Sequence, residues 1–338
     1  MADLALDQLE LDALPDALLT LSPRDIRQVF PNPTLIRIPG GTGAPLFVSV
    51  VLHGNEVTGF IVLQRLARWL RAHRLPRPLM ILVGNVLAVE AGKRHLDGQA
   101  DFNRIWKGGD GPEHALAREV LKQVKAAQPI AAIDIHNNTG TNPHYACVNA
   151  LDPASLHLAS LFSPTLVYFR NPDTVLSLAL SEICPATTIE AGKPGDPTGV
   201  ERAFDFVLDA LHLSAFRAAG CEPHVKIFET AARVEIEATA RFGFSPSSDA
   251  PLLFPAEMDR WNFSEKPAGT RWAACETDRF PLRAVNATGA DLTSDFFEMR
   301  PDGIYLTRDV TPSMITLDTG IIRDDCFGYL MVRRDTPC

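Results

Sequence analysis

The residues best suited to metal chemistry stand directly behind a run of apolar side chains. The run FVSVVL, at residues 47–52, is followed at once by HGNE, from His53 to Glu56. A histidine and a carboxylate three positions apart can bind one ion if the backbone turns between them, and Gly54 and Asn55 are residues that turn readily. Such a pair is weak evidence alone, so a metal site needs further ligands from elsewhere in the chain.

Two other side chains with metal-binding or acid–base chemistry stand at the ends of other apolar runs. His136 ends the run PIAAIDIH, and Glu190 lies near the end of ATTIEAG. In open α/β sheets, sites form beyond the carboxyl ends of the strands. These groups are therefore expected to converge with those of HGNE, although they are far apart in the sequence.

Two histidines and one carboxylate make up the expected ligand set, namely His53, Glu56 and His136. Three protein ligands leave a fourth tetrahedral position for water, which is typical of catalytic rather than structural zinc sites. Nitrogen and carboxylate donors suit zinc, although the same donors also bind other first-row metals. We predict one Zn²⁺ per chain, with Glu190 facing the open position.

An acidic residue also accompanies the histidine of the second strand. Asp134 precedes His136 by two residues, so both side chains point to the same side of a strand. A carboxylate there is placed to hold the second nitrogen of a metal-bound imidazole. The alternative is an ordinary buried acid that accepts hydrogen bonds from backbone amides.

A basic loop, GKRHLDGQADFNRIW at residues 92–106, offers groups that bind anions. Asn103 and Arg104 form an amide–guanidinium pair that can fork onto a substrate carboxylate. Arg94 is a further cation, placed to neutralise charge developing on a tetrahedral oxyanion. Taken alone, the loop fits better with arginines that are solvated or ion-paired with neighbours such as Asp97 and Asp101.

The elements that position these residues follow from periodicity and turn residues. Residues 1–30 predict one or two short amphipathic helices, with a helix start at Ser22-Pro23. The glycine turn PGGTGAP predicts a hairpin between its two flanking strands. Thr198 and Glu201 have capping-box spacing. The predicted strands are 34–38, 47–52, 79–85, 129–136 and 186–192, and the main helices run from HGNE to about Arg71, over 113–127 and from Thr198 onward.

The character of the sequence changes near Gly220. From Val225 onward, short alternating runs are broken by Gly, Pro, Asn and Asp, which is typical of a small, mostly β domain. The near-continuous apolar strands before that point are typical of α/β proteins. We predict an α/β catalytic domain over residues 1–220 and a β-rich domain over residues 221–338.

Composition limits the classes of partner. The net charge of −9 argues against nucleic acid or an acidic lipid surface as the main partner. The acidic N-terminus lacks the features of a secretory signal, and no apolar window is long enough to cross a membrane. Six scattered cysteines, at positions 147, 184, 221, 275, 326 and 338, predict reduced, mostly buried thiols in a cytoplasmic protein.

Four motifs in order resemble those of the succinylglutamate desuccinylase/aspartoacylase family, a branch of the zinc carboxypeptidase superfamily. HGNEVTG resembles its first metal motif, and AGKRHL followed by DFNR resembles its basic loop. DIHNNTG resembles the motif of the third ligand, and IEAGK resembles that of the catalytic glutamate. The resemblance spans about residues 46–200. It implies a zinc-carboxypeptidase-like mixed sheet flanked by helices, followed by a smaller β-rich domain.

The resemblance also implies a role for each matching residue. His53, Glu56 and His136 bind zinc. Glu190 acts as general base toward the water at the open metal position and then as acid toward the leaving amine. Arg94 polarises the scissile carbonyl and holds the oxyanion. The residues expected to bind substrate are Asn103 and Arg104, with Asn137 and Lys193 as further contacts.

The basic loop departs from the family pattern. The interval from Arg94 to Asn103 is two residues longer than usual, with the extra residues within 98–100. His95 replaces a tyrosine, and Phe102 replaces a leucine. The role of Arg94 is therefore the one most open to change.

Other departures bear on the substrate. No arginine of the aspartoacylase type stands just upstream of Glu190, and Lys193 is closer to the desuccinylase branch. N-acetylaspartate is therefore disfavoured, while succinylglutamate stays open. The family also carries a tyrosine from its C-terminal region, for which Tyr305 and Tyr329 are both candidates.

These features together predict a zinc-dependent hydrolase of an N-acyl amino acid, or of a related small amide or ester that bears a carboxylate. The alternatives are a metallocarboxypeptidase of short peptides and a catalytically silent zinc- or ligand-binding protein. The expected partner is a small molecule, with no nucleic acid and no membrane, and a homo-oligomer is left open.

Overall fold

The computed structural model describes residues 4–216, 224–245, 248–277 and 279–334. The chain divides into two compact units. Of the described residues, the first contains those up to Asn137 together with those of His144–Val225, and the second contains Asn138–Pro143 together with those from Lys226 onward. The predicted boundary at residues 220 and 221 lies outside the described residues, so that domain division stays a prediction.

The first unit alternates strands and helices along most of its length. Its strands are β1 (Asp7–Glu10), β2 (Thr34–Ile38), β3 (Leu46–Val50), β4 (Leu79–Val83), β5 (Ala131–His136), β6 (Tyr145–Val148), β7 (Thr165–Tyr168) and β8 (Ala186–Glu190). Its helices are α1 (Thr58–Leu70), α2 (Val86–Ala91), α3 (Pro112–Ala127), α4 (Pro153–Phe162), α5 (Leu176–Ser181) and α6 (Pro197–Leu211), with 3₁₀ helices at Asp16–Thr20 and Pro23–Gln28.

The strands of the first unit form a mixed sheet in the order β1-β2-β4-β3-β5-β8-β6-β7. β3, β5 and β8 are neighbours and run parallel. β2 runs antiparallel to β4, and β6 runs antiparallel to β8. The carboxyl ends of β3, β5 and β8 therefore meet at one edge of the sheet, as the sequence predicted.

Helices cover both faces of this sheet. Phe47, Ala132 and Ala186 pack in one buried cluster with apolar residues of α3 and α5. α1 lies on the opposite face, where Gly59 is so close to Val50 that a Cβ on the glycine would stand 2.9 Å from the valine Cβ. These contacts confirm the predicted mixed sheet flanked by helices.

The predicted hairpin between β2 and β3 is wrong. β4 lies between these strands, antiparallel to β2 and parallel to β3. The glycines of PGGTGAP serve close backbone packing instead, because a Cβ on Gly40 would stand 2.2 Å from the carbonyl oxygen of Arg77. The Gly41 amide donates to the Leu75 carbonyl oxygen at 2.9 Å, which ties the loop to the approach of β4.

Other local predictions also need correction. The described residues 4–30 contain β1 and two 3₁₀ helices rather than amphipathic α-helices, although the second 3₁₀ helix does begin at Pro23. The N-cap of α6 is Asp196, not Thr198, since the Asp196 carboxylate accepts from the Thr198 amide at 3.2 Å. The sequence analysis also missed the elements β6, α4, β7 and α5.

The second unit is mostly β, as expected. Its strands are β9 (Lys226–Ile236), β10 (Phe242–Gly243), β11 (Leu252–Leu253), β12 (Arg271–Cys275), β13 (Leu282–Val285), β14 (Phe297–Arg300), β15 (Gly303–Leu306), β16 (Thr311–Ser313) and β17 (Gly328–Arg334). Its helices are α7 (Thr293–Phe296) and α8 (Thr319–Asp324), with a 3₁₀ helix at Met258–Trp261. One group of strands has the order β13-β9-β17-β16, and a smaller sheet has the order β10-β11-β12-β15-β14.

An apolar cluster rich in aromatic rings fills the second unit, with Trp272, Phe254 and Phe327 among its buried members. Four of the six cysteines are described, and all four are buried and outside any disulfide. Cys221 and Cys338 lie outside the described residues. None of the helices within the described ranges combines the length and the apolar composition that spanning a membrane requires.

Candidate metal centre

A strained turn delivers the HGNE segment to the end of β3. Val51, just after the strand, has a φ of 53°, which is unfavourable for a β-branched residue. Gly54 then passes so close to α2 that a Cβ would stand 2.0 Å from the carbonyl carbon of Ala88. The glycine is therefore required by this close approach to α2, in addition to any role in turning the chain.

The three predicted ligands meet at the edge of the sheet. His53 Nδ1 lies 2.7 Å from one carboxylate oxygen of Glu56, and His136 Nδ1 lies 2.9 Å from the other. One ligand atom from each residue falls within 4.8 Å of the others, and all three side chains are buried. We call His53, Glu56 and His136 the metal triad.

Each imidazole of the metal triad is also held at its second nitrogen by a carboxylate. His53 Nε2 lies 3.0 Å from Asp101 Oδ1, and His136 Nε2 lies 2.9 Å from Asp134 Oδ2. A carboxylate at Nε2 directs the Nδ1 lone pair toward a shared centre, which is the usual arrangement around metal-bound histidines. The donor set and its orientation therefore fit a divalent metal such as zinc.

The charges of the site are strongly coupled. Burial alone would raise the pKa of the Glu56 carboxyl, but His53 and His136 hold that pKa well below its usual range. Burial likewise opposes ionisation of Asp101, whose pKa is nevertheless held far down by His53, with Arg94 and Arg104 contributing. Both carboxylates therefore stay ionised at neutral pH.

The pKa of the histidine on β5, His136, is shifted in the opposite direction. Burial lowers the pKa of His136, but the charges of Asp134 and Glu56 outweigh it and raise that pKa well above its usual value. The pocket therefore has an excess of negative charge around the imidazoles, which favours a bound cation.

The predicted general base lies beside the metal triad. Glu190 ends β8 and is paired in register with His136 on β5, so the two side chains stand on the same face of the sheet. The Glu190 side chain is also largely buried. The convergence of His53, Glu56, His136 and Glu190 at one edge agrees with the topological argument from the sequence.

Arg94 lies between two acids of the site. Its Nε donates to Asp101 Oδ2 at 2.9 Å, and its Nη1 lies 4.0 Å from Glu56 Oε1. The ion pair with Asp101 is the alternative that the sequence left open, and the guanidinium is nevertheless adjacent to the metal triad. Stabilisation of an oxyanion by Arg94 stays a prediction.

Asn103 and Arg104 lie in the same loop as Arg94 and are held by hydrogen bonds. The Asn103 side-chain oxygen accepts from the Leu176 amide at 3.0 Å, which fixes the start of α5. Arg104 Nη1 donates to the Asn103 carbonyl oxygen at 2.9 Å. These bonds hold the pair beside Asp101, and carboxylate binding by the pair stays a prediction.

The other candidate residues differ in their surroundings. Asn137 accepts from the Thr58 amide at 3.1 Å and donates to the Gly192 carbonyl oxygen at 3.0 Å, so its amide joins α1 to the loop after β8. Lys193 is exposed in that loop. Tyr305, one of the two candidate tyrosines, donates to Asp302 at 2.7 Å.

Asp101 is the residue of the candidate site that the sequence analysis missed. It contacts His53, Arg94 and the backbone amide of Asn103, the last at 2.7 Å. In the sequence it was considered only as an ion-pair partner for arginines. The signal that could have identified it is the need of a metal-bound imidazole for a carboxylate at its second nitrogen.

Comparison with known proteins supports this geometry. Residues 42–202 match the family model described as the succinylglutamate desuccinylase/aspartoacylase catalytic domain. This segment is similar to the catalytic domain of the succinylglutamate desuccinylase/aspartoacylase family. The matched segment contains the metal triad, the basic loop and Glu190, so the resemblance predicted from the four motifs is confirmed.

The sequences of individual relatives match only part of this chain. The succinylglutamate desuccinylase of Burkholderia orbicola (strain AU 1054) is 38% identical over 91 residues, which cover 26% of this chain. That match spans only 25% of the Burkholderia protein's length.

Solved structures of family members share the fold. The succinylglutamate desuccinylase of Chromobacterium violaceum superposes with a TM-score of 0.55 at 15% identity, covering 88% of this chain and 87% of that one. Murine aminoacylase 3 gives a TM-score of 0.55 at 16% identity, covering 87% and 97%. The likeness extends beyond the catalytic segment and includes the smaller β sheet of the C-terminal region.

Proposed function

We propose that this protein is a zinc-dependent hydrolase that removes the acyl group from an N-acyl amino acid or a related small substrate bearing a carboxylate. The observation that carries the proposal is the metal triad with a carboxylate at the outer nitrogen of each imidazole. Relatives named desuccinylase and aminoacylase support the substrate class.

His53, Glu56 and His136 would hold one zinc ion per chain. When bound, zinc lowers the pKa of a water ligand toward about 7 and polarises a carbonyl oxygen. Glu190 accepts the proton of the attacking water and returns it to the leaving nitrogen. Its buried position beside His136 keeps that proton within the site.

The residues of the basic loop have separate roles. Arg94, beside Glu56 and Asp101, stabilises the negative oxygen that develops on the substrate carbonyl. Asn103 and Arg104 bind the substrate carboxylate, with Asn137 and Lys193 at the margins. N-succinyl amino acids, succinylglutamate among them, are the first substrates to test because they match the names of the relatives.

The decisive variant is Glu190→Gln, which keeps the size of the side chain but removes its basicity. We expect turnover to fall by about 10²–10⁴-fold, while bound zinc, measured by elemental analysis, stays near one ion per chain. Glu182→Gln is the matched control, because Glu182 is an exposed carboxylate at the end of α5. Retained turnover in Glu190→Gln would remove Glu190 from the mechanism.

The substrate panel separates the remaining functions. N-acyl amino acids with varied acyl chains should be hydrolysed faster than dipeptides. Preference for dipeptides would favour a short-peptide carboxypeptidase. A zinc-loaded protein that binds carboxylate ligands but hydrolyses no member of the panel would favour the catalytically silent binding protein.

A further inference from the structure

A row of buried side chains, three of them polar and one a thiol, lies one layer below the metal triad. Ser49 on β3 is paired in register with Asp134 on β5, and Asp134 is paired with Thr188 on β8. Cys147 on β6 continues the row opposite Thr188. Because alternate residues of a strand share a face, this row faces the same side as His136.

Two polar atoms of this row lack hydrogen-bond partners among the described residues. Asp134 holds His136 through Oδ2, but its Oδ1 is buried without a partner. The hydroxyl of Ser49 is also buried without a partner, and the Ser49 side chain has no exposed surface. A buried carboxylate oxygen and a buried hydroxyl are each costly to leave unsatisfied.

The surroundings of Ser49 offer it few acceptors. Its register neighbour on the other side is Leu82 of β4, whose side chain has no polar atom. Neighbouring strands lie about 4.8 Å apart, and a serine hydroxyl moves among three staggered positions by rotation about χ1. A hydroxyl can donate and a carboxylate oxygen can accept. The side chain of Asp134 is therefore the natural partner of Ser49.

We propose that Ser49 is a positioning residue of the metal centre, whose hydroxyl donates to Asp134 Oδ1 and thereby holds Asp134 Oδ2 against His136. This rests on the proposed function, because it assumes that His136 binds zinc. An anchored Asp134 keeps the imidazole proton on Nε2 and the lone pair on Nδ1, where the ion binds. Ser49 thus acts on the ion through two intervening side chains.

The test compares two variants of Ser49 with a matched control. Ser49→Ala removes the hydroxyl, and Ser49→Thr keeps it while adding a methyl group at a fully buried position. Ser177→Ala is the control, because Ser177 is also a buried serine whose hydroxyl has no partner among the described residues. It lies on α5 and not on the strands that carry the histidines and Glu190. Zn²⁺ affinity is measured by chelator competition, the ligand field by Co²⁺ absorption, and the stability of the metal-free protein by thermal unfolding.

We expect Ser49→Ala to weaken Zn²⁺ binding about 10-fold and to alter the Co²⁺ spectrum, with little change in the thermal unfolding of the metal-free protein. Ser49→Thr should keep the affinity even though its extra methyl group lowers the unfolding temperature. Ser177→Ala should keep both the affinity and the spectrum. Loss of affinity with retained stability is a result that a purely structural role does not give.

Three results would overturn the inference, and they differ in what else they reject. Wild-type affinity in Ser49→Ala, or an equal loss in Ser177→Ala, rejects the positioning role and leaves the proposed function intact. Failure of the wild-type protein to bind either Zn²⁺ or Co²⁺ rejects the proposed function and the role of Ser49 together.

Discussion

Both imidazoles of the metal triad have a carboxylate at each nitrogen, so four contacts between histidine and acid define the centre. Asp101 also pairs with Arg94 and accepts from the Asn103 amide. One side chain therefore links His53 to the loop that is expected to bind substrate.

Asp101→Asn tests this link. The amide keeps the shape of the side chain but removes the charge that orients His53 and holds Arg94. We expect Zn²⁺ affinity to fall by about 10–100-fold, measured by chelator competition. Asp97→Asn is the control, because Asp97 is an exposed residue of the same loop paired with Lys93. Equal affinities in the two variants would show that Asp101 does not orient His53.

The sequence predicted individual residues of the site better than their connections. His53, Glu56, His136 and Glu190 were identifiable because each follows an apolar run, and the sheet then brings the ends of those runs together. The contact between Asp101 and His53 joins residues 48 positions apart. Such a pairing depends on how the loop folds back, and neither periodicity nor local spacing encodes it.

At the level of elements, the same contrast holds for strands and their order. The strands β2, β3 and β4 can be recognised from their apolar composition in the sequence, but the order in which they pair cannot. Insertion of β4 between β2 and β3 is decided by packing against distant parts of the chain. The short elements between residues 145 and 181 were missed because runs of four to ten residues give little periodicity.

The start of α6 offers a prediction at this scale. Asp196 caps the helix by accepting from the Thr198 amide and hydroxyl, and it stands in the loop that follows Glu190. Asp196→Ala should lower the free energy of unfolding of the metal-free protein by about 1 kcal/mol at pH 7. Urea unfolding gives the measurement. Asp205→Ala, an exposed change within α6, should have a smaller effect.

This effect should depend on pH in a defined direction. Hydrogen bonds from Thr198, with a contribution from His144, lower the pKa of Asp196 in the folded protein. Its stabilisation is therefore present above the unfolded-state pKa of about 3.9 and is lost as pH falls through the lower folded-state value. The difference between wild type and Asp196→Ala should shrink as the pH is lowered below about 4. A difference that stays constant would contradict the charged cap.

At the scale of the whole molecule, the path of the chain connects the metal triad to the second unit. The chain leaves the first unit after Asn137, contributes Asn138–Pro143 to the second unit and returns at His144. Within the second unit, the Asn142 side chain donates to Asn138 at 3.0 Å and accepts from the Met314 amide at 3.0 Å. The second unit therefore contains a segment that is separated from His136 by Asn137 alone.

Asn142→Ala tests whether the hydrogen bonds of this segment help to hold the metal triad in place. The variant loses both hydrogen bonds, so the free energy of unfolding should fall by about 1–2 kcal/mol. Zn²⁺ affinity should fall as well, because residues 138–143 join His136 through Asn137 alone. Asn286→Ala is the control, since Asn286 also accepts backbone hydrogen bonds in the second unit but lies far along the chain from any ligand. If both variants are destabilised and bind Zn²⁺ equally well, the metal triad is held by the first unit alone.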